Sequence, residues 1–269
     1  MDKVGKVLEI ISQNKVDAVL ISSTPNIIYL TGYSGFSHLE REAYLIISKN
    51  QNYIITDGRY SEAVSKIPGF KLLERSADNT TENIFKSLSQ RIKLLGIEGN
   101  NITFSEGKKL KKYFRLKPLA DLQKIRIIKN NDETGKIEKA CKLGDKAFDF
   151  ILGKLKTGVT EKEIAFEIEM FIKKNGGELS FPSIVAFGKN SSMPHYQSGN
   201  TKLARNQIVL FDFGVKLDNY CSDMSRTVFF GTADAKFKKN YKTVLDAQQK
   251  AIDSLSDISI YNALNQRAS

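Results

Sequence analysis

Cysteine is scarce in this sequence. Cys141 and Cys221 are the whole complement and form no C-x-x-C pair, which argues against a disulfide framework or a thiolate zinc site. Cys221 lies in an apolar, strand-like stretch, where a small buried thiol is expected. Histidine is as rare: imidazole chemistry falls to His38 or to His195. No apolar run approaches the roughly 18–20 residues of a membrane span. The N-terminal stretch MDKVGKVLEIISQN mixes charged and apolar residues at helical spacing. It lacks the apolar core and cleavage site of a signal peptide, so a cytoplasmic location is expected. Internal repeats and low-complexity segments are also missing.

What is present is a chain of 269 residues, enough for one large or two ordinary domains. Its apolar content of 41% is ordinary for a globular protein and can furnish a sizeable core. The net charge of +11 comes mostly from lysine, and such a charge invites a nucleic-acid or membrane-surface reading. The densest basic stretch, Lys108 to Lys117, keeps helical spacing in its apolar residues. It reads as the solvated face of an amphipathic helix, and neither nucleic acid nor membrane is expected as a partner.

Along the first part of the chain, strand-like and helix-like segments alternate. Helices are expected over 3–14, from Asp57 to about Lys66, over Thr80–Gln90, and from a Thr103/Glu106 capping box to about Phe114. Strands are expected at Asp17–Ser22, Ala43–Ser48, Tyr53–Thr56, Phe70–Glu74 and Leu94–Glu98. This alternation indicates an α/β domain over residues 1–122. From 123 to 269 the pattern changes. A long helix over Asn131–Lys156 and a second, capped by Thr160 and Glu163 and running to about Asn175, precede a strand at Ser180–Phe187. A polar loop, Gly188–Gly199, a β-hairpin and a final helix from about Asp234 to Leu255 follow, an α+β arrangement.

The hairpin carries the chemistry. Its arms are Gln207–Val215 and Tyr220–Phe230, around the polar residues Lys216, Leu217, Asp218 and Asn219. A four-residue loop sets Val215 opposite Tyr220 and, further along, Asp212 opposite Asp223. Two like charges facing each other between apolar flanks repel, and a buried carboxylate pair must share a proton, find a counter-charge or hold a metal. Hard divalent cations take oxygen ligands, and carboxylates bridge such ions in two-metal hydrolases. Either aspartate equally reads as a loop cap or a partner for a base such as Arg226. In the polar loop, Pro194 restricts the backbone next to His195, a residue suited to ligating metal or to donating to developing charge.

Several segments together resemble one family: Asn26-Ile27-Ile28-Tyr29-Leu30-Thr31-Gly32, Thr56-Asp57-Gly58-Arg59-Tyr60, Lys124-Ile125-Arg126-Ile127-Ile128-Lys129, Phe181 to Gly188, Pro194-His195-Tyr196, Val209 to Gly214 and Tyr220 to Thr227. Their order and spacing resemble the Xaa-Pro peptidases, prolidase and aminopeptidase P, of the creatinase-like pita-bread metallopeptidases. The resemblance implies an α/β creatinase-like N-terminal domain and an α+β pita-bread catalytic domain. It implies hydrolysis of the peptide bond before proline, in a dipeptide or a peptide with proline second. It further implies two divalent metal ions (Mn, Co or Zn) and a homodimer. Asp212 and Asp223 match metal-ligating aspartates, and His195 matches the histidine that helps stabilise the tetrahedral intermediate.

The family's site has five metal ligands, and here the sequence departs from it. Only 38 residues follow Gly231, with no histidine after His195 and no glutamate after Glu178. About the first half of the pita-bread domain is expected, with weak or absent metal binding and exposed apolar surface on the sheet. Ser259–Ser269 reads as the start of a further helix. The alternative reading is a non-catalytic peptide- or protein-binding module with the same fold.

Overall fold

The computed structural model describes residues 3–37 and 39–254. The sequence readings for His38, Leu255 and Ser259–Ser269 lie outside the described residues. The chain divides into two compact units between Asn131 and Asp132.

The first unit runs α1 (Lys3–Asn14), β1 (Ala18–Ile21), α2 (Thr24–Thr31), β2 (Tyr44–Ser48), β3 (Asn52–Asp57), α3 (Gly58–Val64), β4 (Phe70–Arg75), α4 (Thr81–Leu88), β5 (Leu94–Ile97), α5 (Phe104–Leu110) and β6 (Arg115–Pro118). Its sheet has the order β4-β3-β2-β1-β5-β6. β2 is antiparallel to both β1 and β3, and the outer pairings are parallel. All four residues of β1 are buried, as a central strand with both faces covered requires. Alternation with period two sorts the apolar residues. Val19, Ile21, Leu45, Ile47 and Ile54 meet Val7, Ile10 and Ile11 of α1 on one face. Leu20, Ile46, Ile55 and Leu95 meet Ile84 and Phe85 of α4 and Leu110 of α5 on the other.

Local signals start these helices where expected. Asp57 caps α3 by accepting from the Arg59 N–H, Thr80 caps α4, and Thr103 with Glu106 completes a capping box on α5. The expected continuation of α5 to Phe114 is corrected. That helix stops at Leu110, and Arg115–Pro118 becomes a strand parallel to β5. The basic run is therefore not one helical face. The Lys109 Nζ pairs with Glu82 at 3.7 Å, and Lys117 Nζ donates to the Asn14 carbonyl at 2.9 Å.

The second unit contains α6 (Asn131–Leu152), α7 (Glu161–Lys174), β7 (Glu178–Leu179), β8 (Ile184–Phe187), β9 (Gln207–Phe213), β10 (Val215–Leu217), β11 (Tyr220–Cys221), β12 (Met224–Phe230) and α8 (Ala235–Ser254). Two three-stranded antiparallel sheets form, β12-β9-β8 and β11-β10-β7. Leu143, Ala147 and Ile151 of α6 and Ile164, Ile168 and Ile172 of α7 pack on Val209, Phe211 and Phe213. These three alternate residues of β9 are buried and the residues between them are half-buried, so one face of the strand meets the helices and the other carries Asp212. No residue of α8 is buried, and Tyr241, Val244, Leu245 and Ile252 are exposed. Among the described residues, no helix is long and apolar enough to cross a membrane.

Candidate active site

The hairpin forms, but its register differs from the expected one. Leu217 pairs with Tyr220, leaving Asp218 and Asn219 alone at the turn. Both have positive φ, 50° and 67°, the backbone of a two-residue type I′ turn whose twist suits a hairpin. Asp212 consequently faces Ser225, not Asp223. The slip is two residues, and side-chain direction repeats every two, so both aspartates remain candidates for one face. Ser225 Oγ donates to Asp212 Oδ1 at 3.1 Å.

The second aspartate stands where the hairpin breaks. β9 ends at Phe213 and β10 starts at Val215, while Ser222 and Asp223 fall between β11 and β12. Ser222 pins the break. Its N–H donates to the Val215 carbonyl at 2.7 Å, its hydroxyl accepts from the Val215 N–H at 3.0 Å, and its carbonyl accepts from Ser180 Oγ at 3.0 Å. Gly214 is required opposite it. A Cβ there would overlap the Ser222 carbonyl and the Ser180 hydroxyl.

A cavity of about 1340 Å³ opens on this unit. Asp212, Asp223, Ser225 and His195 line it, so the three residues singled out in the sequence share one wall system. Lys162, Ala165, Phe166 and Glu169 of α7 and residues 179–184 and 196–198 complete it. Two burial expectations are corrected. Asp212 is half-buried and Asp223 exposed, so water reaches the carboxylates. Cys221 is exposed because it belongs to a two-residue strand beside the turn, with its thiol outside the core.

His195 comes from the loop between β8 and β9. A 3-10 turn over Gly188–Ser192 is followed by Met193, Pro194 and His195, whose φ of 55° is unusual for a residue with a side chain. Sequence reasoning overlooked the residue that organises this loop. Glu161, the first residue of α7, is fully buried. Its Oε1 accepts from the Phe187 N–H at 2.7 Å and from Asn190 Nδ2 at 2.9 Å. Its Oε2 accepts from the Tyr196 hydroxyl at 2.7 Å and the Gly199 N–H at 3.1 Å. The bond to Glu161, together with burial, pushes the Tyr196 hydroxyl above the ordinary phenol range. An acid in the first turn of a helix ahead of a polar loop was the available signal. The neighbouring capping box already accounted for the acidic pattern.

A Metallopeptidase family M24 model matches residues 135–268, and a creatinase/prolidase N-terminal domain model matches residues 3–128. An uncharacterized peptidase of Staphylococcus aureus (strain bovine RF122 / ET3-1) is 34% identical in an alignment covering 95% of this chain and 74% of its own length. The chain belongs to metallopeptidase family M24. Among solved structures it is similar to the Xaa-Pro dipeptidase from Bacillus anthracis, with a TM-score of 0.84 and 29% identity, covering 93% of this chain and 70% of that one. It is also similar to the prolidase from Pyrococcus horikoshii OT3, with a TM-score of 0.82 and 31% identity, covering 93% of this chain and 71% of that one. The fold is thus the creatinase-like α/β domain followed by the M24 pita-bread architecture.

Membership of a metallopeptidase family implies divalent metal. Asp212 and Asp223 are suitable hard-oxygen donors on the same cavity as His195. Among the described residues, however, no three His, Cys, Asp or Glu side chains come together closely enough to hold an ion. The described donors do not by themselves make a metal centre.

Proposed function

We propose that this protein is a peptidase of the Xaa-Pro type, acting on the bond before proline in a dipeptide or in a peptide with proline second. The observation that carries the reading is the convergence of Asp212, Asp223 and His195 on one cavity. In support, two solved enzymes with the same architecture are an Xaa-Pro dipeptidase and a prolidase. Asp212 and Asp223, together with further ligands, would hold a pair of divalent ions (Mn, Co or Zn) that would activate water, and the Ser225 hydroxyl donates to Asp212. His195 donates to the charge that develops on the scissile carbonyl oxygen. Phe166, Phe181, Pro182 and Ile184 give the cavity an apolar side that suits a pyrrolidine ring. A cytoplasmic homodimer that binds neither nucleic acid nor membrane belongs to the same proposal.

The test is a calorimetric Mn²⁺ titration of the chain, run beside an assay for proline release from an Xaa-Pro dipeptide. Weak binding with slow turnover, both lost in Asp212→Ala and Asp223→Ala, is the expected result. Turnover that survives both substitutions overturns the site assignment. Dipeptide binding without cleavage would make the chain the peptide-binding module of the alternative reading.

A further inference from the structure

The ring of His195 has no hydrogen-bond partner among the described residues, and the residue is exposed. Nothing on the ring itself fixes its direction. Its placement depends on a backbone held at φ 55°, a conformation that costs a side-chain-bearing residue energy unless its surroundings impose it. The imposing structure is the clamp around Glu161. The loop is gripped at Phe187 where it leaves β8, at Asn190 in its first turn, at Tyr196 directly after His195, and at Gly199.

The start of α7 reinforces the grip. The Lys162 N–H donates to the Gly199 carbonyl at 2.9 Å, and the Glu161 N–H to the Thr201 carbonyl at 3.2 Å. Asn190 Nδ2 also reaches the Tyr196 hydroxyl at 2.9 Å and Thr201 Oγ1 at 3.0 Å, so the loop's own polar groups close on one another. Among the described residues no cation pairs with Glu161. Four donors and the N-terminal end of the α7 dipole take that place.

We infer that Glu161 is the positioning residue for His195, acting through Tyr196. The inference rests on the proposed role of His195 in peptide cleavage. A carboxylate only accepts, and all four neighbours donate. Glu161→Gln keeps the shape but turns one oxygen into a donor. The Tyr196 hydroxyl can rotate to accept from it, whereas the Gly199 N–H cannot. The Gly199 contact is then lost, and the Tyr196 contact directly beside His195 is weakened. Tyr196→Phe removes the same link with almost no change in volume.

The chain has two histidines, so imidazole NMR signals can be assigned with a single His38→Gln spectrum. Both Glu161→Gln and Tyr196→Phe are expected to shift and broaden the His195 ring signal. Ile168→Val, a loss of packing at a fully buried site of the same helix, is expected to lower the melting temperature and leave that signal in place. Where the parent chain releases proline, kcat in Tyr196→Phe should fall roughly tenfold to a hundredfold with KM nearly unchanged, the mark of lost positioning. A His195 signal unchanged in both loop variants overturns the inference, whatever the activity. A displaced signal in a chain whose parent cleaves no dipeptide supports the positioning role and removes the peptidase reading.

Discussion

Glu106 in the first unit allows a prediction whose size follows from the structure. It occupies the third position of α5, and its side chain is 17% exposed. Oε2 accepts from the Thr103 N–H at 2.8 Å, and Oε1 accepts from Arg41 Nε and from the Tyr44 hydroxyl, each at 2.8 Å. Burial alone would raise its pKa. The bonds from Arg41, Thr103 and Tyr44, with the Arg41 charge, outweigh burial and bring it from 4.5 down to about 2. At about 1.4 kcal/mol per unit, the ceiling on stabilisation is about 3 kcal/mol, and partial solvent access lowers the expected value to about 2 kcal/mol. Because the folded pKa lies below the unfolded one, this stabilisation is full above pH 4.5 and is lost as pH falls towards 2. Glu106→Gln should therefore destabilise the unit by about 2 kcal/mol at pH 7 and by less than half of that at pH 3. Hydrogen exchange of peptides from α5 and β5, corrected for intrinsic rates, is the suitable assay, because a two-unit chain has no single unfolding free energy. An equal penalty at both pH values would refute the electrostatic argument and leave shape as the only role of Glu106.

Other perturbations test the hairpin. Gly214→Ala drives a Cβ into the Ser222 carbonyl, so a loss of about 1–3 kcal/mol or more is expected in hydrogen exchange of peptides from β9 and β12. Asn219→Val places a β-branched residue at φ 67° and should cost about 1–2 kcal/mol by the same measurement, whereas Asn219→Gly should hold or raise the melting temperature. Ser225→Ala removes an exposed bond to Asp212 and should change the protection of the same peptides by no more than about 0.5 kcal/mol.

Most elements were legible where a local device marks them. Thr103 with Glu106 and Thr160 with Glu163 each gave a helix start that the structure repeats, and Gly176, at φ 80°, stops α7 where expected. What escaped was decided across space. Arg115–Leu116–Lys117–Pro118 reads locally as more basic helix, and only the neighbouring β5 backbone makes it a strand. The pattern over Ser180–Phe187 reads as one strand, yet the Gly214 carbonyl holds the Ser180 N–H and the Ser222 carbonyl its hydroxyl, while pairing with β9 begins only at Ile184. Glu161 has only its place in the first turn of α7 to mark it, and its burial is decided by four donors from residues 26 to 38 positions away.

The hairpin shows why a different register still leaves both aspartates on one cavity. Sequence sets the parity of a strand more firmly than its pairing, because alternation is read from one arm alone and register needs the turn. Lys216-Leu217-Asp218-Asn219 lacks the Asn-Gly signature of a two-residue turn, and the choice between two and four residues rests on whether Asp218 and Asn219 both take positive φ. Either choice leaves Asp212 on the face opposite Phe211 and Phe213. The correction changes the chemistry all the same. With Ser225 across from Asp212, the two carboxylates are offset along the strands, and the direct like-charge contact that would have required a counter-ion is relieved. A hydroxyl occupies the opposing position and donates to the carboxylate. Any ion binding at these aspartates must therefore be argued from the ligands that converge on them, not from electrostatic strain within the hairpin.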